Sequence, residues 1–152
     1  MTDFVLVHGG SHAAWCWDRL VPLLVADERV DAVVAVDLSG HGSKAKLKPL
    51  DQISRSDYVA DVVTAIEAAD LQEVVLVGHS LAGITIPLAA ARIPDRIRRV
   101  VYLSTSNPLP GQSLNQLMEH PLSPFSRGAD FQEMFCNDLD AETRKWLLSK
   151  LE

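Results

Sequence analysis

The sequence has 152 residues and a mass of 16.7 kDa, a size that suits one domain with a core of its own. Its 47 % of hydrophobic residues exclude a disordered chain. A formal net charge of −6, with no long run of Lys or Arg, argues against a protein that binds nucleic acid.

Short apolar runs, interrupted by charges and turn residues, predict that no segment spans a membrane. The N-terminus lacks the basic segment with which a secretory signal begins. Two cysteines, Cys16 and Cys136, are too few for a disulfide framework, so we expect a reducing, cytoplasmic location.

Four valine-rich runs predict β-strands, at residues 4–7, 32–36, 74–77 and 100–103. Such runs are typical of strands that are buried on both faces of a parallel sheet. Helical patterns lie between them, which predicts an α/β fold with right-handed crossovers and helices on both faces. The expected strand order is 2-1-3-4, with the direction of connection reversing between the first and third strands.

The first two helical patterns are amphipathic. Residues 14–25 predict a helix whose buried face carries Leu20, Val21, Leu24 and Val25. Residues 57–69 predict a second helix, with Ser54 or Ser56 as its N-cap. Its apolar face consists of Val59, Val62, Val63 and Ile66.

The third pattern, residues 81–91, is apolar on almost every face, which predicts a buried helix. Pro87 lies inside it and has no N–H to donate to the Gly83 carbonyl, so we expect a kink there.

The composition changes after residue 103 and becomes rich in proline, with no clear strand up to residue 138. A last helix is expected at 141–151, with Asp140 as its N-cap. We therefore predict a core domain at 1–103 and, at about 104–152, a separate layer that covers one end of the sheet.

The strand at 74–77 leads into the segment G-H-S-L-A-G, and a helical pattern follows at once. This is the context of a strand-to-helix turn that exposes a nucleophilic serine, here Ser80. Small residues two before and two after the serine avoid backbone clashes, and Ala82 stands where glycine is usual. The alternative is a turn with an incidental serine, which the agreement of motif and context disfavours.

The strand at 4–7 ends in the segment H-G-G-S-H. In hydrolases with a serine nucleophile, such a loop supplies a second donor to the oxyanion. If the first and third strands are neighbours, the N–H groups of Gly10 and Leu81 face one oxyanion from two loops. A glycine-rich turn that serves the backbone alone is a compatible interpretation.

The histidines suggest neither a metal site nor a base for Ser80. His8 and His12 are four residues apart on a loop, with no third ligand at a suitable spacing, so no metal and no cofactor are expected. His41 is interpreted as packing in a turn, and His79 diverges in direction from its neighbour Ser80. If a base exists within the chain, His12 is the first candidate because its loop borders the site. The residues at 15–17 (W-C-W) are expected in the core, and the alternative is that one ring walls the pocket.

With these motifs the chain resembles the α/β-hydrolases. More narrowly, it is similar to the branch with plant methyl-salicylate and related methyl esterases, hydroxynitrile lyases and bacterial relatives. The resemblance is carried by F-V-L-V-H-G-G-S-H-A-A-W-C-W at 4–17, V-V-A-V-D-L-S-G-H-G at 33–42, L-V-G-H-S-L-A-G at 76–83 and F-C-N-D-L at 135–139. It implies acyl-transfer chemistry on a small-molecule ester, with Ser80 as nucleophile and Gly10 and Leu81 in the oxyanion roles.

The departures from the family pattern limit what is carried over. Such enzymes place the acid and the base later, in the order Ser, Asp, His. No residue here matches that Asp or His, so neither role is assigned. We expect the 152 residues to be the N-terminal portion of the enzyme, ending inside the start of a helical cap, with the last strands of the sheet outside it. Gly9 stands where the lyases have a threonine after the first histidine, which favours an esterase.

Three interpretations stay open: a serine carboxylic-ester hydrolase, a hydroxynitrile lyase, and a truncated, catalytically inactive protein that binds a small ester or acid. The ester is undefined, because specificity would come from the cap. The fourth strand would normally have a further neighbour, so an exposed sheet edge predicts self-association.

Overall fold

The fold was obtained as a computed structural model, which describes residues 1–151 except for the side chains at positions 131 and 133. Its sheet has four parallel strands in the order β2-β1-β3-β4, which confirms the predicted fold class and strand order. The strands are β1 (Thr2–Val7), β2 (Val30–Val36), β3 (Val74–His79) and β4 (Ile97–Leu103). Each is longer than its apolar run, because the pairing continues into flanking polar residues.

Six α-helices accompany the sheet in the described residues: α1 (Val21–Val25), α2 (Arg55–Ala68), α3 (Ile86–Arg92), α4 (Leu114–Met118), α5 (Phe131–Cys136) and α6 (Ala141–Leu148). Short 3-10 helices cover Ala14–Trp17, Gly42–Lys44, Leu50–Gln52, Ser80–Ile84 and Pro94–Arg96. None of the described helices is long and apolar enough to cross a membrane.

Helix α2 confirms the clearest amphipathic pattern, since its buried residues are the four that the sequence predicts. Ser54 is its N-cap, and both the N–H and the hydroxyl of Ser54 donate to Asp57 Oδ2, at 2.7 Å each. These bonds use polar groups that the start of a helix would otherwise leave unpaired. Together with the Lys48 ammonium, 2.8 Å away, they hold the pKa of the Asp57 carboxyl below its usual range.

The single helix predicted at 14–25 is wrong. The segment instead forms a 3-10 turn, Ala14–Trp17, and the short helix α1, with Pro22 at the start of α1. Proline has no N–H, so it fits the first turn of a helix but not the interior of a longer one. Val25, which was predicted on the buried face, is 61 % exposed.

The kinked helix predicted at 81–91 is also wrong. A 3-10 helix ends at Ile84, and α3 begins separately at Ile86, so Pro87 lies in a first turn rather than an interior. Thr85 between them has φ −105° and ψ −53°. Nor is the stretch buried on every face, because Leu88 is 41 % exposed.

The core lies between the sheet and helices α2 and α3. Its buried members are Val5, Val7, Val36, Leu38, Val59, Val62, Val63, Ile66, Leu71, Val74, Leu76, Ala82, Ile86 and Ala89. Helix α2 contributes four of these residues, and the central strands β1 and β3 together contribute four more. Val5, Leu6 and Val7 of β1 have no exposed surface. Burial of apolar area of this kind is the main favourable contribution to folding.

The chain divides into two compact units, Met1–Ser106 and a second that begins at Asn107. The second unit contains α4, α5 and α6, and no strand within 107–151. Asp140 caps α6 as predicted, accepting from the Thr143 N–H at 2.8 Å, but the helix ends at Leu148 rather than at residue 151. The interpretation of this unit as the start of a cap, with a boundary after residue 103, stays a prediction.

Strand β4 has β3 on one side and no other strand beside it among the described residues. Tyr102 and Leu103, at its end, are each about half exposed. Self-association through this edge stays a prediction, which sedimentation at increasing concentration would check. The cytoplasmic location stays a prediction as well.

Candidate functional site

Ser80 follows the last residue of β3 and opens the 3-10 helix. Its φ is +51°, in the left-handed region, which costs a residue with a side chain roughly 1–2 kcal/mol. The Ser80 carbonyl accepts a hydrogen bond from the Ser106 N–H at 2.9 Å. The predicted sharp turn is therefore present, and it turns the chain abruptly at the serine.

Small residues on both sides of Ser80 make this turn possible. A Cβ at Gly78 would lie 2.6 Å from Ile86 Cδ1 and 3.0 Å from Ala82 Cβ. Real Cβ atoms do not approach other atoms as closely as 2.6 Å, so a side chain at position 78 would force Ile86 to shift, and glycine allows β3 and α3 to pack as they do. Ala82 has no exposed surface, so this position also favours a small side chain.

The loop after β1 lies against Ser80. Parallel pairing of β1 with β3, which ends at Val7 and Gly78, brings the two following loops to the same edge of the sheet. A Cβ at Gly9 would lie 2.8 Å from Ser80 Cβ, and one at Gly10 would lie 3.5 Å from Leu81 Cδ2. The structure therefore brings together the three residues that the sequence singled out, Gly10, Ser80 and Leu81.

His8 is fully buried at the start of this loop. Its Nε2 lies 3.1 Å from the Leu38 N–H, which can only donate, and its Nδ1 lies 2.7 Å from the Gly9 carbonyl oxygen. The ring therefore carries its proton on Nδ1 and accepts at Nε2. Burial disfavours the charged form and lowers the pKa of His8 to about 4.

This pKa predicts that acid destabilises the fold. The unfolded chain binds a proton at His8 near pH 6.5, whereas the folded chain does so only near pH 4. The free energy of unfolding should therefore fall as the pH decreases from 6.5 to 4, by up to about 3 kcal/mol from this residue. Urea unfolding across that range measures the slope.

The matched variants are His8→Gln, which removes this titration, and His120→Gln, which replaces an exposed histidine. The slope should become shallower in the first and stay as in the wild type in the second. Equal slopes in all three proteins would contradict the assignment to His8.

Asp37 is a further residue of this region, with a role that was not predicted from the sequence. Its carboxylate accepts from the Ala14 N–H at 2.7 Å, from the Ser43 N–H at 2.9 Å and from the Ser43 hydroxyl at 2.7 Å. Burial opposes ionisation, but these hydrogen bonds prevail and lower the pKa of Asp37. The available signal was its place directly after β2, where the carboxyl ends of parallel strands carry site residues.

Aromatic rings border the loop. His12 stacks on Trp15 with ring centroids 5.3 Å apart, and its centroid lies 5.9 Å from that of His79. Trp17 is buried as expected, whereas Trp15 is only half-buried. Trp15 thus contacts the loop through His12, and its role as a pocket wall stays a prediction.

No base for Ser80 is evident in the described part of the chain. His12 Nδ1 bonds the Gly10 carbonyl oxygen at 2.8 Å, and no hydrogen bond joins Ser80 Oγ to a histidine ring within residues 1–151.

Burial lowers the pKa of His79 and raises that of the half-buried Cys16 thiol to about 12, so Cys16 is a poor nucleophile. Among the described residues, no group of three or more potential ligands could hold a metal ion.

Comparison with known proteins identifies the architecture. The model of the "Alpha/beta hydrolase family" matches residues 4–150. The chain is 38 % identical over 125 residues to a carbendazim hydrolyzing esterase of Nocardioides sp. (strain SG-4G), covering 82 % of this chain and 50 % of that protein. It is 35 % identical over 120 residues to methyl jasmonate esterase 1 of Vitis vinifera, covering 76 % of this chain and 44 % of that protein.

Comparison with solved structures agrees with these sequence matches. The crystal structure of polyneuridine aldehyde esterase superimposes with a TM-score of 0.63 at 34 % identity, covering 90 % of this chain and 48 % of that one. The chain thus spans about half the length of the relatives it matches.

Proposed function

The chain belongs to the alpha/beta hydrolase family, and from that premise we propose that it carries the nucleophile and the oxyanion-binding groups of a serine carboxylic-ester hydrolase. Ser80 is the nucleophile, and the N–H groups of Gly10 and Leu81 are the oxyanion donors. The substrate is a small-molecule ester, as the names of the similar esterases suggest.

One observation carries the proposal: Ser80 has a left-handed backbone and lies directly against the glycine loop that follows β1. A strained residue persists only where the surrounding structure enforces it, and such residues concentrate at active sites. Here Gly78 and Ala82 permit the turn, and the turn leads into the first N–H groups of a helical segment. Unpaired N–H groups at such an end favour a developing negative charge.

In the proposed reaction, Ser80 Oγ attacks the ester carbonyl carbon and its proton passes to a base. The carbonyl oxygen becomes an oxyanion, which accepts from the Gly10 and Leu81 N–H groups. Collapse expels the alcohol, which takes up the proton, and leaves an acyl-serine that water then hydrolyses. We assign no base, since enzymes of this fold place the acid and the base after the nucleophile, in the order Ser, Asp, His, and no residue of this chain matches those positions.

The steric situation at Gly9 argues against the hydroxynitrile lyase alternative. The lyases resemble one another in a threonine at this position, whereas a Cβ at Gly9 would lie 2.8 Å from Ser80 Cβ. The same Cβ would lie 3.2 Å from His79 Nδ1, so a larger side chain would displace the nucleophile turn.

Covalent labelling tests the proposal. A fluorophosphonate should form a stable adduct that peptide mass spectrometry locates at Ser80, at a slow rate because a hydroxyl without a base is a weak nucleophile. Ser56→Ala, which removes an exposed hydroxyl on α2, is the matched control and should be labelled like the wild type. Absence of any adduct at Ser80 would favour a protein that binds its ligand without turning it over.

A further inference from the structure

The hydrogen bonds of His8 fix more than the position of its own ring. Its Nδ1–H donates to the Gly9 carbonyl, and its Nε2 accepts from the N–H of Leu38, two residues beyond the end of β2. The first bond is short, at 2.7 Å, and both lie in a place without solvent, where hydrogen bonds gain in strength. His8 therefore ties the loop after β1 to the segment after β2.

The Gly9 carbonyl and the Gly10 N–H belong to one peptide unit. This unit is planar and trans, as no cis peptide occurs in the described residues, so its C=O and N–H point in opposite directions. A bond that holds the carbonyl of Gly9 on one side therefore determines where the N–H of Gly10 points on the other.

We propose that His8 is a positioning residue that aims the Gly10 N–H at the oxyanion by holding the other end of the same peptide unit. The inference rests on the proposed function, because it takes the Gly10 N–H as an oxyanion donor. It assigns to His8 no contact with the substrate and no proton transfer.

The sequence of the loop explains why such a restraint is needed. Gly9 must lack a side chain because Ser80 Cβ occupies the space, and Gly10 has none either, so the unit between them is flanked by glycines. Glycines rotate more freely than other residues, and the peptide between two of them is held least by sterics. Oxyanion donors act through preorganisation, so here a hydrogen bond has to supply the rigidity that side chains cannot.

The surroundings keep His8 in the required form. The titratable groups that face it are His41, whose ring centroid is 5.0 Å away, together with Asp37 and His12. Burial and the two histidines favour the neutral ring, whereas Asp37 and the bond to the Gly9 carbonyl oppose this more weakly. A proton added at Nε2 would point at the Leu38 N–H and break the contact, so the neutral Nδ1–H form is the one that positions the loop.

Two substitutions separate the two bonds of His8. In His8→Asn the side-chain amide lies near the place of Nδ1, so it can still donate to the Gly9 carbonyl but not reach Leu38. In His8→Gln the amide lies near the place of Nε2, so it can still accept from Leu38 but not hold Gly9. Both variants lose one buried hydrogen bond and some ring volume, which makes them controls for each other in stability.

The first readout is the Gly10 amide in ¹H–¹⁵N spectra of the 152-residue chain. It should stay near its wild-type position in His8→Asn and move clearly in His8→Gln. The second readout is the rate of fluorophosphonate labelling at Ser80. This rate should fall by roughly 10-fold or more in His8→Gln and by less than about 3-fold in His8→Asn. Both decreases lie within the ~10²–10³ that loss of one oxyanion donor costs.

The outcomes are distinguishable. A Gly10 amide that moves equally in both variants, or more in His8→Asn, overturns the inference, as does an equal loss of labelling rate in variants of equal thermal stability. Wild-type spectra that show the proton of His8 on Nε2 overturn it without any variant. If the spectra agree but Ser80 is not labelled even in the wild type, the proposed function fails and the control of the peptide by His8 stands.

Discussion

Replacing Ser80 with glycine is expected to abolish fluorophosphonate labelling at position 80 and to leave a chain more stable than Ser80→Ala by about 0.5–1 kcal/mol. The hydroxyl is lost in both variants, so neither forms an adduct. The backbone at position 80 has φ +51°, which glycine adopts without the steric cost that alanine bears. Glycine's larger entropy in the unfolded chain offsets only part of that gain.

The measurement is chemical unfolding of both variants and the wild type, with labelling followed by mass spectrometry. A matched pair of variants at Thr64, an exposed position in the middle of α2, should show the opposite order, since glycine is less stable than alanine in a helix interior. If Ser80→Gly were less stable than Ser80→Ala, the strain attributed to this residue would not exist. An adduct that persists elsewhere in both variants would place the nucleophile at another residue.

Adding one methyl group at Gly9 is expected to destabilise the chain by about 1–3 kcal/mol and to slow labelling of Ser80 strongly. The Cβ of Gly9→Ala would lie 2.8 Å from Ser80 Cβ and 3.3 Å from the His79 carbonyl oxygen. Relief requires the loop after β1 and the turn after β3 to separate. That movement would pull the Gly10 N–H, the proposed oxyanion donor, away from Ser80, and loss of one oxyanion donor costs roughly 10²–10³ in rate.

The neighbouring glycine is the control for stability. At Gly10 a new Cβ meets Leu81 Cδ2 at 3.5 Å, an ordinary contact, and the φ of this residue is not positive. Gly10→Ala should therefore keep the free energy of unfolding within about 0.5 kcal/mol of the wild type or raise it slightly. Equal destabilisation at both positions would show that the loop tolerates no side chain anywhere, and the specific contact with Ser80 would not be the cause.

The sheet could be predicted from the sequence because each strand has its own apolar run and the helices between them fix the crossovers. The amphipathic face of α2 was equally clear, since Val59, Val62, Val63 and Ile66 follow the helical period without a break. The proximity of Gly10 and Ser80 followed from strand order alone, because neighbouring parallel strands end at the same edge of the sheet.

The helices that contain proline could not be predicted in the same way. Pro22 and Pro87 lie in apolar stretches that read as continuous, and the pattern does not show whether proline kinks a helix or begins a new one. The structure has new helices in both places. The hydrogen bond from the Ala14 N–H to Asp37, at the start of the first stretch, is a tertiary contact that the pattern does not show.

The bonds of His8 and Asp37 were also invisible in the sequence. Each links loops that are distant along the chain. The sequence around a histidine is also the same whether its ring hydrogen-bonds the backbone, binds a metal ion or transfers a proton. Only the partners at Leu38, Gly9 and Ala14 show that these side chains organise the loop after β1.

The pairing of β1 with β3 has a consequence for how the protein folds. Gly10 and Ser80 lie on opposite sides of β2 and α2 in the sequence, so a long stretch of chain has to be closed into a loop before the two can meet. Closing such loops lowers chain entropy before any contact compensates for it, which slows folding. During synthesis, β1 precedes β3 and keeps one edge unpaired until β3 has followed. The proximity of Gly10 to Ser80 thus depends on a non-local event in folding, and neither of the two loops contains it alone.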